Sequence, residues 1–259
     1  MKLLKVLNKD LSSPFQYFQF KIGKEYVCED FDKSDNECSC GFYATDFSGL
    51  SYALNKDGVK HGVFEAEVSG KSREFNQFKR RYEKITILRQ LTEEEIKNGL
   101  LACCEAEGYN VLESCYPVNP FKVEPSITVE EAVVFLNLWR KGWKSVGKSV
   151  WDSVGELVGE SVWESVRGSV WDSVWRPVWG SIRGSIGESV GGLAWDSVMD
   201  SVWGYYSSLF PNIRKWKYID HEEGANPFQP GIDLWRAGYV PSFDGNKWRL
   251  HTKDGWEEV

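Results

Sequence analysis

Apolar and polar residues alternate along several short stretches near the start of the chain. Phe15 to Ile22 (FQYFQFKI), Gly62 to Val68 (GVFEAEV) and Lys84 to Leu88 (KITIL) repeat with the two-residue period of a half-buried strand. Gly23-Lys24 suits a turn into a further strand at Glu25-Tyr26-Val27, and Gly41 to Thr45 is a short apolar run. Between them, residues 30–37 are acidic and polar, which predicts a loop. Phe47 to Leu54 reads as a short helix that Asn55-Lys56-Asp57-Gly58 turns away. A longer helix is predicted at Glu93 to Glu107, because Thr92 and Glu95 have the spacing of a capping box. Thr128 and Glu131 repeat that signature ahead of Val129 to Arg140. Pro117, Pro120 and Pro125 punctuate the interval, so a boundary is placed near residue 125.

From Ser145 to Gly204 the period changes to four. This tract is an uninterrupted array of fifteen Ser-Val-x-x units. The first position is Ser except at Leu157, Pro177 and Leu193, and the second is Val except at Ile182, Ile186 and Ala194. The third is Trp, Gly or Arg, with Met199 once, and the fourth is mostly Asp, Glu, Gly, Lys or Arg. Trp, Gly and Arg share NGG codons and the other substitutions are single-base changes, as expected of an expanded twelve-nucleotide repeat that has drifted. Three such dissimilar side chains could not share a tightly packed site. The third position is therefore expected to face outward and the Val position inward.

A four-residue stripe is awkward for an α-helix. At 3.6 residues per turn it drifts by about 40° per unit, so one straight helix would carry Val around its whole circumference. Val, Ser and Gly are indifferent helix formers, and Pro177 lies mid-tract. A β-solenoid with one unit per side would keep every Val on its axis. Trp151, Trp163 and Trp175 recur every 12 residues, whereas Trp163, Trp179 and Trp195 recur every 16, which leaves the coil size open. Broken α-helices and a disordered tract are the alternatives.

Beyond the tract, Tyr205 to Phe210 is apolar, Arg214 to Tyr218 is strand-like, and His221 to Pro230 is a loop. Gly231 to Gly238 reads as a helix with Gly238 as its C-cap, followed by a turn at Ser242 to Asn246 and a strand at Lys247 to Thr252. Phe135 to Gly142 and Gly231 to Gly238 both end in Leu-Trp-Arg-x-Gly, so the tract separates two similar helical elements. The predicted organisation is an α+β domain over 1–125, a helical connector over 126–144, the repeat tract over 145–204, and a small α/β module over 205–259.

With 42% hydrophobic residues, the chain has enough apolar mass for a core. Its net charge of −7 argues against nucleic acid as a partner, despite the local run Lys79-Arg80-Arg81. The opening residues MKLLKVLNKDLSSP are too short for the apolar core of a signal peptide. Nothing approaches the roughly 18–20 apolar residues of a membrane span. These features predict a soluble cytoplasmic protein with no membrane partner. Its six cysteines are then expected to be reduced thiols. Cys28, Cys38 and Cys40 do not have the usual zinc-knuckle spacing, and no metal or cofactor is expected.

Several segments resemble a family of uncharacterised proteins from phages and gut bacteria. They are Phe18-Gln19-Phe20, Gly23 to Tyr26, Cys40 to Ala44, the Ile85 to Leu88 strand, the Ser-Val tract, Leu234-Trp235-Arg236, Val240 to Gly245, and Trp248 to His251. That family usually has His where this chain has Tyr43, and the resemblance implies no activity.

No phosphate loop, HExxH helix, nucleophile elbow or EF-hand loop is present. His61, His221 and His251 have no partner recognisable by spacing. The order Gly41 to Thr45, short helix, Val63 to Val68 is similar to part of an ADP-ribosyltransferase fold, although no complete signature is present. That similarity implies Tyr43, Thr45, Glu67 and Arg80 as catalytic candidates and an enzymatic alternative. The favoured reading is a non-enzymatic binding or scaffold protein. Trp151, Trp163, Trp171, Trp175, Trp179, Trp195 and Trp203 would be aromatic anchors for a protein partner or for self-association. The plainest alternative makes the tract a passive spacer.

Overall fold

The computed structural model describes residues 1–14, 17–34, 36, 39–54, 61–76, 79–171, 175, 178–180, 182 and 191–259. The chain forms two compact units, Met1–Glu107 and Gly108–Val259.

In the first unit, β1 (Lys2–Asn8), β2 (Glu25–Val27), β3 (Phe42–Ala44), α1 (Leu50–Leu54), β4 (His61–Asn76), β5 (Lys79–Gln90) and α2 (Glu93–Glu107) follow in order. The strands make one antiparallel sheet ordered β1-β4-β5-β2, and β3 also pairs with β5. β2 pairs with Lys84–Thr86 and β3 with Arg80–Tyr82, so both short strands occupy one edge of β5. Just past β3, the Thr45 and Leu4 backbones exchange hydrogen bonds of 2.9 and 2.7 Å. This bridge carries the β3 edge back to β1 and curls the sheet toward closure. Alternation along β1 puts Leu3, Lys5 and Leu7 on one face and Leu4 and Val6 on the other. Leu3 and Leu7 join Phe20, Ala44, Phe64, Ala66, Val68, Tyr82, Ile85 and Ile87 in the buried core.

The capping box of α2 is present, with Glu95 and Thr92 each accepting the other's backbone N–H. The expected strand at 15–22 is reduced to one bridge, Ser12 to Gln19, while Phe15 and Gln16 lie outside the described residues. Of its described aromatic residues only Phe20 enters the core; Phe18, exposed, and Phe20 both pack edge-on against Tyr26 at 5.3 Å.

The second unit contains α3 (Val111–Cys115), a 3-10 turn at Pro120–Lys122, α4 (Val129–Trp139) and another 3-10 turn at Trp143–Ser145. There follow α5 (Val146–Val170), α6 (Gly191–Ser207), α7 (Gln229–Arg236), β6 (Val240–Phe243), β7 (Trp248–Thr252) and β8 (Gly255–Glu258). The last three strands form an antiparallel sheet in sequence order. The chain is thus α+β, with a second, small sheet at its C-terminal end. The two Leu-Trp-Arg-x-Gly segments close the C-terminal ends of α4 and α7, which pack together. Gly231 admits the Trp139 ring so closely that a Cβ there would lie 2.5 Å from it. Gly238 follows α7 with φ +86°, as a C-cap requires.

Two expectations are corrected here. Arg214 to Tyr218 forms no strand; its backbone docks on α5, with the Lys217 N–H donating to Ser153 Oγ at 3.0 Å. The tract, over its described residues, is helical rather than a β-solenoid, and α5 and α6 correspond to the broken-helix alternative. Stripe drift excludes only a helix buried on one side. From Val146 to Val166 the stripe turns by roughly 200°, yet both residues are fully buried. Different neighbours cover successive sides. α6, α3 and the Trp143–Ser145 turn pack on α5, Lys217 meets it at Ser153, and Tyr206 meets it at Arg167. Tertiary burial outweighs the modest helix propensity of Val and Ser.

Candidate functional site

The four catalytic candidates of the first unit do not converge. Tyr43 stands opposite Arg81 on β5, and Ala44 opposite Arg80, so Tyr43 and Arg80 project from opposite faces. The Tyr43 hydroxyl accepts from Arg81 Nη1 at 3.2 Å, whereas Arg80 pairs with Glu74 at 3.2 Å and Asp46 at 3.7 Å. Thr45 is buried, and its hydroxyl has no hydrogen-bond partner among the described residues. Glu67 is exposed and pairs with Thr86, five residues along β5 from Arg81. At roughly 3.4 Å per residue this is about 17 Å from Tyr43's position. No single pocket could use all four.

The neighbouring residue Arg81 has a clear structural role that the basic run concealed. It is fully buried, and its guanidinium donates to the carbonyls of Asn36 and Ser34 at 3.0 and 2.9 Å and to that of Asp32. It also lies 4.8 Å from the Phe75 ring centre. Arg81 therefore fastens the acidic loop onto the sheet through its two terminal nitrogens, while its buried Nε has no hydrogen-bond partner among the described residues. Cys28 and Cys40 lie close enough for their charges to interact, and burial first, then Cys40, raises the Cys28 thiol above its ordinary value. Cys38 lies outside the described residues, and among those described no cluster of three metal-ligating side chains occurs.

In the tract, every second-position residue whose burial is described is buried: Val146, Val150, Val154, Val166, Val178, Ile182, Ala194, Val198 and Val202. The inward direction read from the repeat applies to all of these. The third position is different from its expected outward direction. Its Trp residues gather into two clusters. Trp151, Trp163 and Trp203 are mutually in contact at 5.2, 5.5 and 6.0 Å between ring centres, and Tyr206 joins at 5.2 Å from Trp203. Trp175 and Trp179 both meet Trp195, at 4.6 and 4.7 Å, and Trp171 packs on Trp175 at 5.3 Å. Trp163 and Trp175 are buried at the cluster centres, while Trp151 and Trp195 are 45% and 36% exposed at their edges. A third position faces outward from its own helix but meets the third position of another unit.

Variation at that position also has complementary sizes. Gly147 lies beneath Trp203, and a Cβ on Gly147 would sit 3.0 Å from the indole Cδ1. A large side chain in one unit thus covers a small one in another. Beside it, Asp200 Oδ1 accepts the Gly147 N–H at 3.0 Å, at the first turn of α5. Burial, followed by the charge of Asp196, pushes the Asp200 carboxyl up from 3.8 to about 7.

The first-position serines were an unread part of the repeat. Ser149, Ser153, Ser197 and Ser201 are buried. Ser197 and Ser201 return a hydrogen bond to carbonyls one turn earlier, each at 3.0 Å. Ser197 also accepts the Phe243 N–H at 2.8 Å, as Ser153 accepts that of Lys217. Two of these buried hydroxyls, Ser153 and Ser197, therefore dock other backbone segments onto the tract, whereas Ser149 Oγ has no partner among the described residues. The recurrence of Ser in twelve of the fifteen units was the available signal.

Two of the three histidines, His251 and His221, are held by structural hydrogen bonds. His251 is buried with Nε2 2.7 Å from the buried Ser242 hydroxyl, and burial, then Arg249, lowers it to about 4. His221 Nε2 accepts the Trp216 N–H at 2.9 Å. Among the described residues, no helix is long and apolar enough to cross a membrane.

Residues 1–99 match a domain of unknown function, DUF7666. The match covers the whole β1–β5 sheet and ends within α2, so the repeat tract lies outside it. No curated protein and no solved structure matches the chain.

Proposed function

We propose that the protein is a non-enzymatic binding or scaffold protein that associates with copies of itself through the Ser-Val-x-x tract. The supporting observation is that units distant in sequence are already partners within one chain, as Trp163 and Trp203 are at 5.5 Å. Near-identical units present near-identical surfaces, so a unit from a second copy is chemically equivalent to one from the same copy. Trp151, Trp195 and Leu193 are exposed where such a copy would add to the clusters. Aromatic side chains of this kind dominate interface energies and are a liability when left uncovered. The resemblance to uncharacterised phage and gut-bacterial proteins extends this reading to a cytoplasmic, phage-encoded scaffold whose tract length sets the number of contact points.

The test is sedimentation velocity of the full chain over a concentration series, beside a Trp151→Ser/Trp195→Ser variant. Both rings are partly exposed, so the variant should keep its fold. The reading expects wild-type oligomers, and dissociation of the variant at roughly 30-fold or more higher concentration, the loss of about 2 kcal/mol at one anchor. A wild-type chain monomeric throughout would favour a passive spacer.

A further inference from the structure

We propose that the outer edge of β8 takes up an extended basic peptide as a further strand, with a Lys or Arg of that peptide seated beside Glu257 in an adjoining cleft. The sheet of the second unit has one covered edge and one open edge. α6 packs along β6, where Ser197 accepts the Phe243 N–H at 2.8 Å. β8 pairs with β7 on its inner side, and all four of its residues are exposed. The Val259 N–H donates to the Trp248 carbonyl at 3.0 Å, which sets the alternation of hydrogen bonds along the pair. The N–H and C=O groups of Trp256 and Glu258 therefore point away from β7, and none of them has a partner among the described residues. Unmet backbone groups in such a row are a template for an added strand.

The surface beside this edge decides what the strand carries. Glu257 stands opposite Leu250, and Gly255 opposite Thr252, so these residues share one face of the sheet. On that face opens a cleft of about 310 Å³, lined also by Pro125, Val129 and Tyr239, with room for one long side chain. Glu257, Glu130 and Glu131 all act on the Tyr239 phenol, which burial first and then these charges raise above its ordinary value. Glu257 pairs with no cation among the described residues. Lys253 is engaged by Glu124 and Asp254 at 3.2 and 2.8 Å, and Arg249 lies on the opposite face, 5.1 Å from the Trp256 ring centre. Apolar walls beside an uncompensated carboxylate suit the stem and the charged head of Lys or Arg. An incoming residue opposite Glu257 would form a non-hydrogen-bonded pair with it, the closer kind of cross-strand neighbour. The β8 of a second copy would instead bring Glu257 and Glu258 against the same carboxylates, an arrangement that like charges disfavour. The site is independent of self-association through the tract, because none of these cleft and edge residues belongs to a repeat unit.

The experiment titrates the full chain with a fluorescein-labelled peptide, Thr-Val-Lys-Val-Arg-Val-Thr, and reads fluorescence anisotropy and amide hydrogen exchange. Saturable binding is expected, with exchange at Trp256 and Glu258 slowed roughly tenfold or more. Replacing the peptide's Lys and Arg by Glu, or methylating its backbone nitrogens, should each weaken binding roughly tenfold or more. Glu257→Lys, at an exposed position, should do the same with an unchanged thermal midpoint. The proposal is overturned if the basic peptide shows no saturable binding up to about 1 mM, if the acidic or methylated peptide binds equally well, or if Glu257→Lys binds as wild type does. Slowed exchange confined to residues outside β8 would also overturn it. Protection of Trp256 and Glu258 that grows with protein concentration and needs no peptide would assign the edge to a second copy, and so overturn it too.

Discussion

Replacing Asp200 with Asn tests the contact that joins the two ends of the repeat tract. The carboxylate accepts the Gly147 N–H at the start of α5, where a helix N-terminus should favour negative charge. Burial opposes this and dominates, and Asp196, one turn earlier, adds repulsion. Nearby cations are engaged elsewhere: Lys144 and Lys148 lie over the rings of Trp143 and Tyr218. Because the folded value, about 7, exceeds the unfolded value of 3.8, the folded state binds the proton more tightly. The contribution to stability is therefore complete below pH 4, declines as pH rises, and is gone above about pH 7. A shift of this size corresponds to about 4 kcal/mol at most, and the partial exposure of Asp200 reduces it to roughly 2–3 kcal/mol. The amide introduced by Asp200→Asn would retain an oxygen acceptor for the Gly147 N–H and cannot ionise. Urea unfolding followed by Trp fluorescence should show Asp200→Asn more stable than wild type at pH 8 by about 2 kcal/mol, with the two converging toward pH 4. An Asp200→Asn chain destabilised at pH 8, or one with the pH dependence of wild type, would mean that burial does not govern the Asp200 carboxyl.

Three further changes probe other parts of the account. Gly231→Ala should lower stability by about 1–3 kcal/mol in urea, because its methyl would overlap the Trp139 ring; an unchanged midpoint would count against that packing. Thr128→Ala removes the capping hydroxyl of α4 and should cost about 1 kcal/mol, measured in the same way. Arg81→Met leaves the carbonyls of Asp32, Ser34 and Asn36 without their donor, so hydrogen exchange across residues 30–41 should accelerate at least tenfold while β1 and β4 stay protected.

The elements most legible in the sequence were those with chemical end signals. α2 begins and ends at Glu93 and Glu107 as its capping box and periodicity indicate, and Thr128 fixes the start of α4. β4 and β5 extend well beyond their apolar alternation, to His61–Asn76 and Lys79–Gln90. Their polar ends are held by pairing with each other, which leaves little trace in hydropathy. In the tract, the direction of Val was readable because the residue is nearly constant. The backbone was misread because the drift of a four-residue stripe excludes only a helix covered on one side. Here Val146 and Val166 are buried against different neighbours. The shared NGG codons of Trp, Gly and Arg carry no information on the ring contacts that Trp163 and Trp175 make. Those depend on which units the fold brings together.

Recognition of one repeat unit by another is measured most directly by energy transfer between two batches of the full chain, one carrying a donor dye and one an acceptor, mixed at micromolar concentration. Transfer should rise after mixing and fall when unlabelled wild-type chain is added in excess, and the fall should be smaller when that competitor carries Trp151→Ser/Trp195→Ser. No transfer at any concentration, or equal competition by the variant, would contradict such recognition.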